Sequence, residues 1–133
     1  MESLHQSLHD VLQGIENAAR LAGRPRGVGL LAVSKTRPAE AVRALATAGQ
    51  RDFGENYVQE GVAKIRAVAD PALAWHLIGH LQSNKCADAA AHFDWVHAVD
   101  RPKLVAALAQ ARPAALPPLN VLVQVNVDGE AGK

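Results

Sequence analysis

Short apolar runs and segments with helical periodicity take turns along this chain, and that alternation constrains the fold more than any other feature. It is the signature of βα units assembled around a parallel sheet. The strand-like runs are Leu30-Leu31-Ala32-Val33-Ser34-Lys35, Asp52-Phe53-Gly54-Glu55, Ala74-Trp75-His76-Leu77-Ile78, Trp95-Val96-His97-Ala98-Val99 and Val121-Leu122-Val123-Gln124-Val125. Before the first of them, Leu4, Leu8, Leu12, Ile15 and Ala19 recur at spacings of three and four, which predicts an amphipathic helix over about 3–22, stopped by Gly23 and Pro25. Pro38 opens a second helix with Ala41, Val42, Leu45 and Ala48 on one face and Gly49 as its C-terminal cap. A third carries Val58, Val62, Ile65 and Ala69, with Asn56 placed to cap it and Pro71 ending it. Ser83 or Asn84 caps a fourth that runs to about His92, and Pro102 opens a fifth bearing Leu104, Leu108 and Ala111.

A parallel βα series of this kind closes into a barrel only with about eight strands and typically ~250 residues. The expected class is therefore α/β, with about five parallel strands and flanking helices in residues 1–133, too few to close a barrel, so that the chain looks like the first half of something larger. Left alone, such a series exposes an open edge along Val121 to Val125 and apolar faces on both flanks. The expectation is that the C-terminal half is absent, and that the native object continues past Lys133 or completes itself by self-association with another chain.

Composition matters here for what it excludes. A chain that is 49% hydrophobic, 20% charged and 4% aromatic is neither a membrane protein nor a disordered one. Its net charge of +1, with Lys and Arg spread along the sequence, offers no concentrated basic face to a nucleic acid. Cys86 is the only cysteine, and Met1-Glu2-Ser3 opens a polar segment without the apolar core of a signal peptide, so a reducing cytoplasm fits best.

Lys35 is the residue that invites a chemical reading. A buried parallel strand that delivers one amine to its C-terminal end is how an α/β barrel presents a lysine for carbonyl chemistry. Imine formation requires the neutral amine, so the ordinary lysine pKa of roughly 10.4 must be lowered by desolvation or nearby positive charge; apolar strand neighbours and Arg37 are the candidates. The alternative is a snorkelling strand-end lysine packed on its own stem. His76 and His80 have a spacing that suits two metal ligands on a helix, but Trp75 to Ile78 reads as strand and Gly79 interrupts, so no metal site is expected. Cys86 near a helix start is either a reactive thiolate or a quiet buried thiol.

Three runs then point to a family. Leu31-Ala32-Val33-Ser34-Lys35-Thr36, Phe53-Gly54-Glu55-Asn56-Tyr57-Val58-Gln59-Glu60 and Trp75-His76-Leu77-Ile78-Gly79-His80-Leu81-Gln82-Ser83-Asn84-Lys85 resemble, in this order, the pyridoxal 5'-phosphate homeostasis proteins, the YggS/PROSC family. His92-Phe93-Asp94-Trp95 and Pro118-Leu119-Asn120-Val121 resemble it too, so the similarity covers nearly all of the chain, although the family's chains are longer. The resemblance implies the alanine racemase N-terminal-domain fold, a (β/α)8 TIM barrel of which this chain is the N-terminal part, with pyridoxal 5'-phosphate (PLP) held as an internal aldimine on Lys35 and no settled catalytic turnover.

On that basis the cofactor-binding candidates are Lys35, Asn56 and His80, with no catalytic residue and no metal. The Asn56 amide either hydrogen-bonds a ring substituent such as the cofactor's phenolate oxygen or only caps the helix after it. Glu55 is an acceptor that holds the barrel mouth together, and Tyr57 is packing rather than an acid catalyst. The segment from His76 to Asn84 borders the cofactor pocket, with His80 and Gln82 at its rim, or else forms a capped turn with a solvent-facing histidine. No Gly/Ser-rich turn of the kind that cradles a phosphate follows any strand; the resemblance implies that this cradle, and an arginine facing the pyridine nitrogen, lie beyond Lys133.

The function expected is a non-catalytic carrier of PLP in vitamin B6 homeostasis, with PLP-dependent apoenzymes as recipients. The alternative is a PLP-dependent amino-acid racemase or decarboxylase of the barrel class. A racemase, however, needs an acid/base on each face of the substrate α-carbon, the second usually from another domain. A Schiff-base aldolase on a similar barrel is a third, weaker reading.

Overall fold

The structure, a computed structural model, describes residues 3–24, 26–129 and 131. The polar opening at Met1-Glu2, the Pro25 stop and the final residue Lys133 lie outside the described residues. Helix α1 (Leu4–Leu21) comes first, followed by β1 (Ala32–Val33), α2 (Ala39–Thr47), β2 (Asp52–Glu55), α3 (Val58–Val68), β3 (Ala74–Leu77), a 3-10 turn at Ser83–Lys85 that leads directly into α4 (Cys86–His92), β4 (Trp95–Val99), α5 (Pro102–Ala111) and β5 (Asn120–Val123).

All strand pairs are parallel and the sheet order is β1-β2-β3-β4-β5. An order that never reverses separates this arrangement from the doubly wound folds, in which the strand order switches direction partway. Each βα unit is laid beside the previous one, as in a (β/α)8 barrel.

Alternation along the strands sorts side chains onto two faces. Phe53 and Trp75, paired in register with ring centroids 5.6 Å apart, point toward the helices and pack with Leu77, Val96, Phe93, Leu104 and Leu108 in one core. The other face carries Asp52, Gly54, His76, Trp95 and His97, with His76 in register with both Gly54 and Trp95.

The two edge strands are poorly covered. β1 is two residues long and its Val33 is 49% exposed, because among the described residues it pairs only with β2. In β5 every residue is exposed, in keeping with the open edge expected along Val121 to Val125. The α1 stripe is also largely open: Leu8 is buried while Leu4 and Leu12 are each 41% exposed.

Helix ends follow local chemistry in part. Ser3 caps α1, its hydroxyl accepting from the Gln6 N–H at 3.0 Å, and Pro102 stands at the start of α5. Gly49, at φ +110°, lets the chain leave α2 while its N–H and that of Gln50 bond back to Ala46 O and Leu45 O. The expected side-chain caps at Asn56, Ser83 and Asn84 do not form: α3 begins after Tyr57 and the 3-10 turn after Gln82, neither with a side-chain cap bond. No helix among the described residues is long and apolar enough to cross a membrane.

Candidate functional site

At the C-terminal end of the sheet, the β1–β2 ladder extends one residue past β1, with Ser34 N–H donating to Gly54 O at 2.9 Å. The chain then turns sharply, and Arg37 N–H closes the turn on Ser34 O at 3.1 Å. Lys35 and Thr36 occupy the tip, Thr36 at φ +63°. That position of a turn ordinarily takes Gly or Asn. A β-branched residue there is strained by about 1 kcal/mol or more and persists only where its surroundings hold it.

The surroundings are a buried polar cluster absent from the sequence reading. Lys64, on α3, is 6% exposed, and its ammonium donates to Ser34 O at 2.6 Å, Glu55 Oε2 at 3.0 Å and Glu60 Oε2 at 3.3 Å. An ammonium has three hydrogens, and each has an acceptor here. Glu55, fully buried at the end of β2, also accepts from the Ser34 hydroxyl, and its Oε1 has no partner among the described residues. Glu60 Oε2 accepts in addition from the Thr36 N–H at 2.6 Å.

The glutamate expected to hold the barrel mouth together thus joins β1, β2 and α3, through a lysine that was not anticipated. Glu60 and Lys64 stand at i and i+4 on a predicted helix, a pairing that the sequence does display. What it does not display is burial.

Lys35 has the opposite environment. Its side chain is exposed and makes no hydrogen bond or ion pair among the described residues. It lies two residues beyond β1, in the turn, so the enclosing apolar strand expected around it is not supplied by these residues. Of these two lysines at the end of β1 and β2, one is fully engaged and the other has no polar partner among the described residues.

One strand further on, Asn56 and His80 line a common cavity of about 420 Å³ with Tyr57, Gly79, Gln82 and Lys85. Lys35 does not line it, so the structure brings two of the three candidate residues together and leaves the third on the neighbouring strand end. The Asn56 Oδ1 is buried without a partner among the described residues, and the side chain is not spent on capping α3. His80 is exposed in the loop after β3. Tyr57 is 69% exposed at the cavity rim, which corrects its expected packing role: it precedes α3 rather than lying on its buried face.

Gly79 is what allows the two loops to meet. A Cβ there would lie 2.2 Å from Asn56 O, 2.9 Å from its carbonyl carbon and 3.0 Å from its Cα, all backbone atoms that have little room to yield. Gly79→Ala is therefore expected to lower stability by about 1–3 kcal/mol, read from the midpoint of denaturant unfolding. An unchanged midpoint would mean that the loops part freely.

His76 does not border this cavity. Its Nε2 lies 3.0 Å from Asp52 Oδ1 and its Nδ1 2.9 Å from His97 Nε2, and its ring stacks on Trp95 with centroids 5.3 Å apart. Burial pushes the His97 pKa below the ordinary histidine value, and the neighbouring His76 lowers it further. Among the described residues no group of three or more His, Cys, Asp or Glu side chains is arranged to hold a metal ion. Cys86 is 2% exposed with its thiol toward Gln82 O; burial pushes the thiol up, against a smaller lowering by Arg101, so the quiet alternative describes it.

Residues 8–132 match the model of the alanine racemase N-terminal domain. The chain is 55% identical over its whole length to the pyridoxal phosphate homeostasis protein of Pseudomonas aeruginosa and 50% identical to that of Escherichia coli K12, covering 58% of each. It spans well under two thirds of the length of these curated relatives. Among solved structures, PipY of Synechococcus elongatus with PLP bound is 50% identical, with a TM-score of 0.63 over 72% of this chain and 46% of that one. An unknown protein from Bifidobacterium adolescentis is 34% identical, with a TM-score of 0.73 over 80% of this chain and 48% of that one.

Proposed function

The chain belongs to the alanine racemase N-terminal domain family, and on that footing we propose that it binds pyridoxal 5'-phosphate as a Schiff base on Lys35 and acts as a carrier of that cofactor in vitamin B6 homeostasis. The observation that carries the reading is the contrast between two lysines. Lys64 has all three ammonium hydrogens engaged, whereas the Lys35 amine, at the tip of a turn held on both sides, has no hydrogen bond or ion pair among the described residues. The PLP bound in PipY and the names of the homeostasis relatives support the choice of ligand.

When bound, PLP supplies an aldehyde carbon that a primary amine can attack with loss of water. The chain's own part is to present the Lys35 amine and to offer polar groups beside it. The uncommitted Asn56 amide and the exposed His80 ring are the proposed contacts to the ring substituents. The domain reading is that these residues are the N-terminal part of a barrel whose phosphate-binding groups lie outside those described here.

In this reading Lys35 binds without turnover, the compartment is the cytoplasm, and the partners are PLP and the apoenzymes that receive it. The test is an absorbance titration with PLP followed by borohydride reduction and peptide mapping. The expected result is one reduced adduct, on Lys35. Scattered labelling over other lysines would overturn the assignment, and enantiomer exchange of L-alanine well above that given by free PLP would overturn the carrier role in favour of a racemase.

A further inference from the structure

We infer that Glu60 and Lys64 are positioning residues for Lys35: from α3 they grip the peptide groups on either side of it and so fix where its amine points. This rests on the proposed role of Lys35 as the PLP-binding amine. Lys64 Nζ holds the carbonyl of Ser34, immediately before Lys35, at 2.6 Å, and Glu60 Oε2 holds the N–H of Thr36, immediately after it, at 2.6 Å. The two gripping side chains bond each other at 3.3 Å, and Glu55 anchors Lys64 to β2 at 3.0 Å, so the grip is closed on itself and tied to the sheet.

Three observations make this more than a surface ion pair. Lys64 is buried, so its charge would be costly without a task that uses all its donors. Thr36 holds a left-handed backbone that its β-branched side chain disfavours, and the Glu60 bond falls on the N–H of that same residue. And among the described residues Lys35 makes no hydrogen bond or ion pair that would orient it, so its direction depends on the backbone of the turn. A long, mobile side chain on a rigid turn searches a smaller volume than one on a loose turn. That is how a remote group contributes to bond formation without touching the reacting atoms.

The test uses Glu60→Ala, Glu60→Gln and the unaltered full chain, because Glu60 is partly exposed and its loss leaves the buried Glu55–Lys64 pair in place. Amide hydrogen exchange is measured first, without PLP. A bond to a charged acceptor is lost in Glu60→Ala, so exchange at the Thr36 amide is expected to rise about tenfold or more, while Glu60→Gln, which keeps an acceptor oxygen, stays close to the unaltered chain. Borohydride mapping with PLP is then expected to show the share of adduct on Lys35 falling several-fold in Glu60→Ala and recovering in Glu60→Gln.

Unchanged exchange at Thr36, or faster exchange with an unchanged Lys35 share, overturns the inference. Failure of the unaltered chain to label at Lys35 is a different result. It removes the proposed function itself, and this inference with it.

Discussion

Lys64→Met is expected to cost about 3–5 kcal/mol of folding stability, far more than the loss of one lysine from a protein surface. Methionine fills much of the space of the lysine stem but offers no hydrogen-bond donor. Ser34 O and Glu60 Oε2 each lose a donor, and the fully buried Glu55 keeps only the Ser34 hydroxyl, because its Oε1 is already unpartnered. An uncompensated carboxylate in the interior accounts for most of the expected loss. The measurement is denaturant unfolding of the variant beside Lys64→Met/Glu55→Gln. If the second change, which removes the negative charge, restores part of the stability, the cause is the unpaired charge. If it restores none, the cause is lost packing and this account of the cluster fails.

Lys35→Ala should do the reverse. Stability is expected to stay within about 0.5 kcal/mol of the unaltered chain, as for other exposed positions without partners, because nothing among the described residues depends on that side chain. The absorbance band of protein-bound PLP and the borohydride-stable adduct should both vanish. Unfolding midpoints and peptide mapping on the same preparation check the two halves together. A variant that keeps its fold and still labels at one defined lysine would show that the amine lies elsewhere, and a variant that unfolds would show that Lys35 has a structural role the geometry does not contain. Together the two substitutions separate the lysine that holds the turn from the lysine that the turn presents.

Much of this architecture was legible before any coordinates. Strand and helix positions follow from local periodicity and punctuation, so β1 to β4 lie within the predicted runs, β5 overlaps its run but starts one residue earlier at Asn120, and Pro38, Gly49 and Pro102 mark helix ends as expected. Lys35 at the end of the first strand, the segment around Asn56 and the loop carrying His80 were identified from short contiguous motifs. Where the reading failed, a local rule met a non-local partner. Asn56 had the sequence of a helix cap and does not cap. His76 sat in a contiguous motif that names none of its partners, and strand register sets its ring beside Asp52 and His97.

The alternation of βα units, the placement of Lys35 at a strand end and the family motifs were determined by the sequence itself, because each depends on residues within a few positions of one another. The burial of Lys64, its grip on Ser34 and the anchoring of the turn through Glu55 and Glu60 were decided only in three dimensions. Lys64 and Ser34 are 30 residues apart, and Glu60 and Thr36 are 24 apart. They meet because parallel pairing of β1 with β2 brings the Lys35 turn beside the end of β2, and because the helical repeat of α3 then aims an acid and a base at it. No propensity or spacing rule specifies which charged residue of an amphipathic helix will be enclosed. That depends on which strand end lies beneath it, and where a buried carboxylate already waits there, the ammonium that reaches it is the one that goes inside.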